Sequence, residues 1–80
     1  MNGPSVRDIL KKSEAFLAER GVDCPRLSAE LLLAEALGLD RLHLFLDMAR
    51  PLTADEVSRA RDLVARRGRG EPVEIGRAHV

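Results

Sequence analysis

Tryptophan and tyrosine are absent from this 80-residue chain, phenylalanine occurs only as Phe16 and Phe45, and cysteine only as Cys24. A core without bulky aromatics has to be built from aliphatic side chains, and a surface without them has no platform on which nucleic-acid bases stack. One cysteine excludes an intrachain disulfide framework and fits a reducing compartment, so a cytoplasmic location is expected. No wholly apolar run exceeds four residues, as at Leu31 to Ala34, which is far short of a membrane span. Lys11 and Lys12 fall inside a helical pattern and do not lead a signal peptide. There is no excess of either charge, 13 basic against 13 acidic residues, which argues against a nucleic-acid binder held by net charge. β-Branched residues are few (six Val, two Ile, one Thr), and no stretch alternates as a strand would.

What is present is helix-forming. About 45% of the chain is apolar, enough for one core. A domain this small nets no more than roughly 3–5 kcal/mol from such a core, and neither a disulfide nor a metal cluster is there to add to it. Prolines 4, 25, 51 and 72 and glycines 21, 38, 68 and 70 divide the chain into four segments. The expected fold is all-α, a small bundle of four helices, the third one short, followed by an extended C-terminal tail.

The first helix opens with a capping box at Ser5-Val6-Arg7-Asp8. Val6, Ile9, Leu10, Ser13, Phe16 and Leu17 share one face. Asp8 and Lys12 stand in the favourable acid-first order, and Gly21 closes the helix. The second begins at Pro25 with Cys24 at the N-cap. From Leu27 to Leu37 it is apolar nearly all round, broken by Ser28, Glu30 and Glu35, and Gly38 ends it. Such a helix belongs at the centre of a bundle. Asp40 caps a third helix, Arg41 to about Met48, too short to stand without packing. Thr53-Ala54-Asp55-Glu56 is a second capping box. It starts a fourth helix with Val57, Ala60, Leu63 and Val64 inward, acid-first pairs Asp55–Arg59 and Asp62–Arg66 outward, and Gly68 at its end. Arg69 to Val73 reads as an extended linker.

No motif here runs a reaction: the chain yields no catalytic, cofactor-binding or metal-binding residue. A phosphate loop needs a strand before it, and none is predicted. His43 and His79 lack a second ligand at metal spacing. His43 reads as a surface or half-buried packing residue, and Cys24 as a weak substitute for a serine cap. Arg59, Arg61, Arg66, Arg67 and Arg69, with Asp62 the one acid between them, give the end of the fourth helix a local charge of +4. A solvated face explains that charge; contact with RNA or with an acidic protein surface are the alternatives.

Pro25-Arg26-Leu27-Ser28-Ala29-Glu30-Leu31-Leu32-Leu33-Ala34, Leu37-Gly38, Pro51-Leu52-Thr53 and Arg66-Arg67-Gly68-Arg69-Gly70-Glu71-Pro72-Val73 follow one another in an order that resembles the N-terminal helical domain of bacterial release-factor glutamine methyltransferases. The resemblance runs from about Val6 to Val73. It implies a helical bundle joined to a Rossmann-like, S-adenosylmethionine-dependent domain that methylates the glutamine of the Gly-Gly-Gln motif in class 1 peptide-chain release factors. The implied part of this chain is to hold the release factor. The cofactor loop and the Asn-Pro-Pro-Tyr motif of that family lie downstream of the segment present, so the fragment itself is expected to be non-catalytic and to carry no cofactor. The alternative is a free-standing helical protein-interaction module.

The resemblance divides the chain into a recognition domain at 1–68 and the start of a linker at 69–74. Ser28 stands where the family often has Asp. After Val73 the family continues toward Tyr-Ile-x-Gly, whereas this chain reads Glu74-Ile75-Gly76-Arg77-Ala78-His79-Val80. One frame of the short-read sequencing adapter ATCGGAAGAGCACACGTC translates as Ile-Gly-Arg-Ala-His-Val, so residues 75–80 are expected to be a non-native tail.

Overall fold

The computed structural model describes residues 3–71; Pro72 to Glu74 of the expected linker, and the tail at 75–80 with His79, lie outside the described residues. Within them the chain forms α1 (Val6–Glu19), α2 (Pro25–Leu37), α3 (Arg41–Leu46) and α4 (Ala54–Gly68). There is no strand among the described residues, only an isolated antiparallel bridge between Ser5 and Pro51. The helices α1, α2 and α4 pack on one another, and α3 packs on α2. The shortest dimension is 19 Å, about two helix diameters.

Both predicted capping boxes form. The Ser5 hydroxyl accepts from the Asp8 N–H at 3.2 Å, and the Asp8 carboxylate accepts from the Ser5 N–H at 3.2 Å. Thr53 and Glu56 repeat the exchange at 3.2 and 3.0 Å. The remaining free donors of the α1 N-terminus go to the α3–α4 connection: Val6 N–H donates to Arg50 O and Arg7 N–H to Met48 O, both at 3.0 Å. Leu52 N–H donates back to Pro4 O at 2.8 Å. The two ends of this seam are more than forty residues apart in sequence, so α1 begins on a part of the chain made much later.

Three helices end in the same way. Gly21, Gly38 and Gly70 adopt φ of 76°, 71° and 89°, the left-handed region that L-residues avoid. After each glycine the chain turns back: Val22 N–H donates to Leu17 O, Leu39 N–H to Ala34 O and Glu71 N–H to Arg66 O. In α4 the turning residue is therefore Gly70, while Gly68, expected to stop the helix, is its last helical residue. Gly68 serves packing instead: a Cβ built there would run into the Phe16 ring, 2.9 Å from Cζ and closer still to Cε2.

The core is aliphatic, as the composition requires. Leu17, Leu33, Leu44 and Val6 are its largest fully enclosed side chains, and Ile9, Leu10, Leu32, Leu52 and Val64 surround them. Each enclosed side chain contributes about 1.5–3 kcal/mol by leaving water. Helix α2 is central, in contact with all three others. It is not apolar all round in its packing, however: Leu27 is 40% exposed and Glu30 is buried.

The third helix departs most from expectation. It ends at Leu46, not near Met48, and of its apolar residues only Leu44 is buried. Leu42 and Leu46 are 66% and 71% exposed, and Phe45 is 41% exposed. Six residues make fewer than two turns, so a single face against α2 buries Leu44 and no other apolar residue of the helix.

Candidate functional site

Cys24 is exposed and sits at the N-cap of α2, but its side chain makes no cap hydrogen bond. Its backbone is left-handed, φ 50° and ψ 58°, where an N-cap that can reach the first turn is extended. Pro25, at the first helical position, has no N–H, so one fewer donor of the first turn is left to be satisfied. His43 is exposed too. Its Nδ1 lies 2.8 Å from Asp40 Oδ1, the same oxygen that accepts the His43 backbone N–H at 2.8 Å. The histidine is thus part of the helix cap at Asp40.

The buried carboxylate of Glu30 is held from both sides. Arg26 Nε donates to Oε2 at 3.0 Å and Arg41 Nη2 to Oε1 at 2.9 Å. Arg26 also lies 3.8 Å from Glu14 Oε1 on α1. One acid on α2 therefore ties α2 to the start of α3, and through Arg26 to α1. Sequence reading passed over Glu30 as a polar interruption. Its spacing of four from Arg26 was visible, but its pairing with Arg41, eleven residues away, was not. Arg50 makes a smaller tie of the same kind, 3.3 Å from Glu56 and 3.7 Å from Asp47.

Hydrogen bonding and neighbouring cations hold two carboxyls below their ordinary values. For Asp8 the leading cause is the Ser5 backbone N–H, followed by the Ser5 hydroxyl and the Lys12 charge. For Glu56 it is the Thr53 backbone N–H, with Arg50 adding to it. Asp8 is committed to the cap, and the expected i,i+4 interaction with Lys12 acts through charge, without a close ion pair among the described residues. Of the two pairs expected on α4, Asp62–Arg66 forms at 3.3 Å, whereas Asp55–Arg59 does not form among the described residues.

Between α1 and α4 runs an open groove of about 620 Å³. Ile9 and Phe16 on α1 and Val57 and Val64 on α4 line it, and the exposed Lys12 and Arg61 stand beside them. Arg61 also lines a shallow hollow that continues past Pro4 to Leu52. The Arg59–Arg69 stretch is thereby divided. Arg66 and Arg69 pair with Asp62 and Glu71; Arg59, Arg61 and Arg67 have no ion partner among the described residues, and of these three Arg61 borders the groove.

Among the described residues no three His, Cys, Asp or Glu side chains come together as a metal site. No helix of the described residues is long and apolar enough to cross a membrane. Cys24 lies at the cap of α2 and His43 on the Asp40 cap of α3, so the structure does not bring the two sequence candidates for chemistry together.

Four short helices packed on one aliphatic core, with an open groove between α1 and α4, make this chain in class a small all-α bundle. Comparison with known proteins makes that class particular. The family described as the PrmC N-terminal domain matches residues 8–75, and this chain belongs to that family. The release factor glutamine methyltransferase of Chlorobaculum tepidum is 51% identical over 70 residues, and that of Geobacter sulfurreducens 43% identical over 70 residues; each match covers 88% of this chain. The one from Koribacter versatilis is 51% identical over 55 residues, 69% of the chain. The chain spans about a quarter of the length of the curated relatives it matches, 24% and 25% for the first two. No solved structure matches the chain.

Proposed function

We propose that this chain is the release-factor-recognition domain of an S-adenosylmethionine-dependent protein-(glutamine-N5) methyltransferase. Its substrate would be the Gly-Gly-Gln glutamine of class 1 peptide-chain release factors. The observation that carries this reading is the asymmetry of the matches: nearly the whole chain aligns with about a quarter of proteins named release factor glutamine methyltransferase. The reacting groups then belong to the rest of such a protein, and residues 1–68 supply binding, with 69–74 leading onward. Binding energy gained far from the reacting amide raises the rate when it positions that amide, which suits a separate domain that grips the substrate protein.

S-adenosylmethionine does not suit the residues described. The methyl donor is a sulfonium cation, and the groove of α1 and α4 presents Lys12 and Arg61, charges of the same sign. No strand and Gly-rich turn are present among the described residues to take its nucleoside. No step of the transfer is therefore assigned to this chain's side chains.

Calorimetric titration of the chain into a bacterial class 1 release factor tests the reading, with radiolabelled S-adenosylmethionine added in a parallel incubation. Saturable binding without methyl transfer is expected. A release factor that does not bind at all overturns recognition, and label incorporated into the release factor overturns the non-catalytic assignment.

A further inference from the structure

Two surfaces of the bundle are unpartnered. The leucine-rich face of α3 is a ridge less than two turns long, and nothing around it says what would cover it. The groove between α1 and α4 is concave and carries charge, and its charge describes its occupant.

Lys12 and Arg61 flank a groove whose walls are the half-buried Phe16 and Val57 and whose floor is the buried Ile9 and Val64. Neither cation makes an ion pair among the described residues, although the Asp8 carboxylate feels the Lys12 charge. The helix neighbours of Arg61 at three and four residues are Val57, Ser58, Val64 and Ala65, none acidic. Lys12 has one acidic neighbour at those spacings, Asp8, whose carboxylate is bound to the Ser5 N–H. The other exposed arginines of the α4 C-terminus are answered by Asp62 and Glu71. Phe16 is held in place at the groove by Arg20, 5.1 Å from its ring centroid, and by the backbone of Gly68. A pre-shaped apolar surface needs no ordering when a partner arrives, which lowers the cost of binding.

We propose that the groove between α1 and α4 is the docking site for an acidic amphipathic segment of the protein partner. An aliphatic or aromatic side chain of that segment would lie against Phe16 and Val57, over the buried floor of Ile9 and Val64, and its carboxylates would face Lys12 and Arg61. This rests on the reading that the partner is a class 1 release factor. Protein is favoured over RNA because the wall between the cations is aliphatic and its one aromatic, Phe16, already stacks with Arg20, leaving no platform for bases. Carboxylates also match separate cations set at the edge of an apolar patch, the usual layout of a protein interface with its polar rim.

The test is heteronuclear NMR of the ¹⁵N-labelled full chain titrated with an unlabelled class 1 release factor, repeated with charge-reversed variants. Shift changes are expected to concentrate at Ile9, Lys12, Phe16, Val57, Arg61 and Ala65. The double variant Lys12→Glu, Arg61→Glu should bind at least about tenfold more weakly. The double variant Lys11→Glu, Arg59→Glu changes net charge equally on exposed positions outside the groove and should bind within about threefold of the parent. Dispersed spectra of all three proteins confirm the fold.

If the release factor binds but the shifts gather on Leu42, Phe45 and Leu46, the groove assignment is overturned while the release-factor reading stands. Equal weakening by both double variants also overturns it, because long-range charge alone would then account for the effect. No binding by the parent chain overturns the release-factor reading and the groove assignment with it. Tighter binding to a single-stranded RNA oligomer than to the release factor, lost steeply with salt, would replace the protein partner with a nucleic acid.

Discussion

The ring of Phe16 on α1 occupies the space in which a side chain at Gly68 on α4 would begin. The two helices cross closely there because one contributes a ring and the other no side chain. Alanine at 68 would favour the helix by about 1 kcal/mol on propensity alone. Overpacking against an aromatic ring costs about 1–3 kcal/mol. Gly68→Ala should therefore lower stability in urea denaturation, and adding Phe16→Leu should return at least half of the loss. An unchanged midpoint for Gly68→Ala would show that the ring swings clear at no cost.

Leu32 is 3% exposed at the centre of α2, and Leu42 is 66% exposed on α3. Leu32→Ala is expected to cost about 2–5 kcal/mol, which in a domain this small approaches its whole stability. Leu42→Ala should stay within about 0.5 kcal/mol. Thermal melts of the two variants side by side test the assignment, and similar losses would place Leu42 in the core.

Glu30 and its two arginines should respond asymmetrically. The carboxylate side chain is 4% exposed, whereas Arg26 and Arg41 are 58% and 49% exposed. Removing both arginines strands a charge inside the protein, at a cost of roughly 3–5 kcal/mol. Glu30→Met leaves two arginines that can turn to water and fills the same volume, so its cost should stay below about 1.5 kcal/mol. Circular-dichroism melts of Glu30→Met and of Arg26→Ala, Arg41→Ala measure the difference, and a larger loss for Glu30→Met would reverse the argument.

Acid should destabilise the bundle through its two capping boxes. In the folded chain Asp8 and Glu56 hold their charge below their ordinary values of 3.8 and 4.5. The unfolded chain takes up protons at those sites first, so their contribution is complete above about pH 5 and is lost as pH falls through the lowered folded values. Melting temperature should drop between about pH 5 and pH 3, and the double variant Asp8→Asn, Glu56→Gln should show a shallower drop over the same range. Parallel pH profiles for the two proteins would refute this.

Much of the fold was legible in the chain because its punctuation is local. Ser5 with Asp8, Thr53 with Glu56, Pro25, Gly21 and Gly38 each act on neighbours within one turn, and each does in the structure what its residue type dictates. The misreadings share a cause as well: they depend on residues distant in sequence. Whether Gly68 ends a helix or admits a ring depends on Phe16, and whether Glu30 interrupts a core or anchors it depends on Arg41. The exposure of Leu42, Phe45 and Leu46 on α3 was hidden too, because composition cannot say that six residues offer a single inward face. The groove was hidden for the same reason, since Lys12 and Arg61 become neighbours only once α1 and α4 have packed. A sequence cue did exist, because Arg61 has no acid three or four residues away along its helix.

The seam between residues 4–7 and 48–52 bears on how quickly this domain assembles. Helical bundles generally fold fast because their contacts join residues close in sequence. Here the first turn of α1 takes its backbone partners from a connection that does not exist until α2 and α3 have been made. On a ribosome those partners emerge about forty residues after Val6, so the N-terminus of α1 waits with its donors facing water. Closure of the seam is then a late event, one that a fluorescent reporter pair at the exposed positions 7 and 49 would register as the slowest phase of refolding.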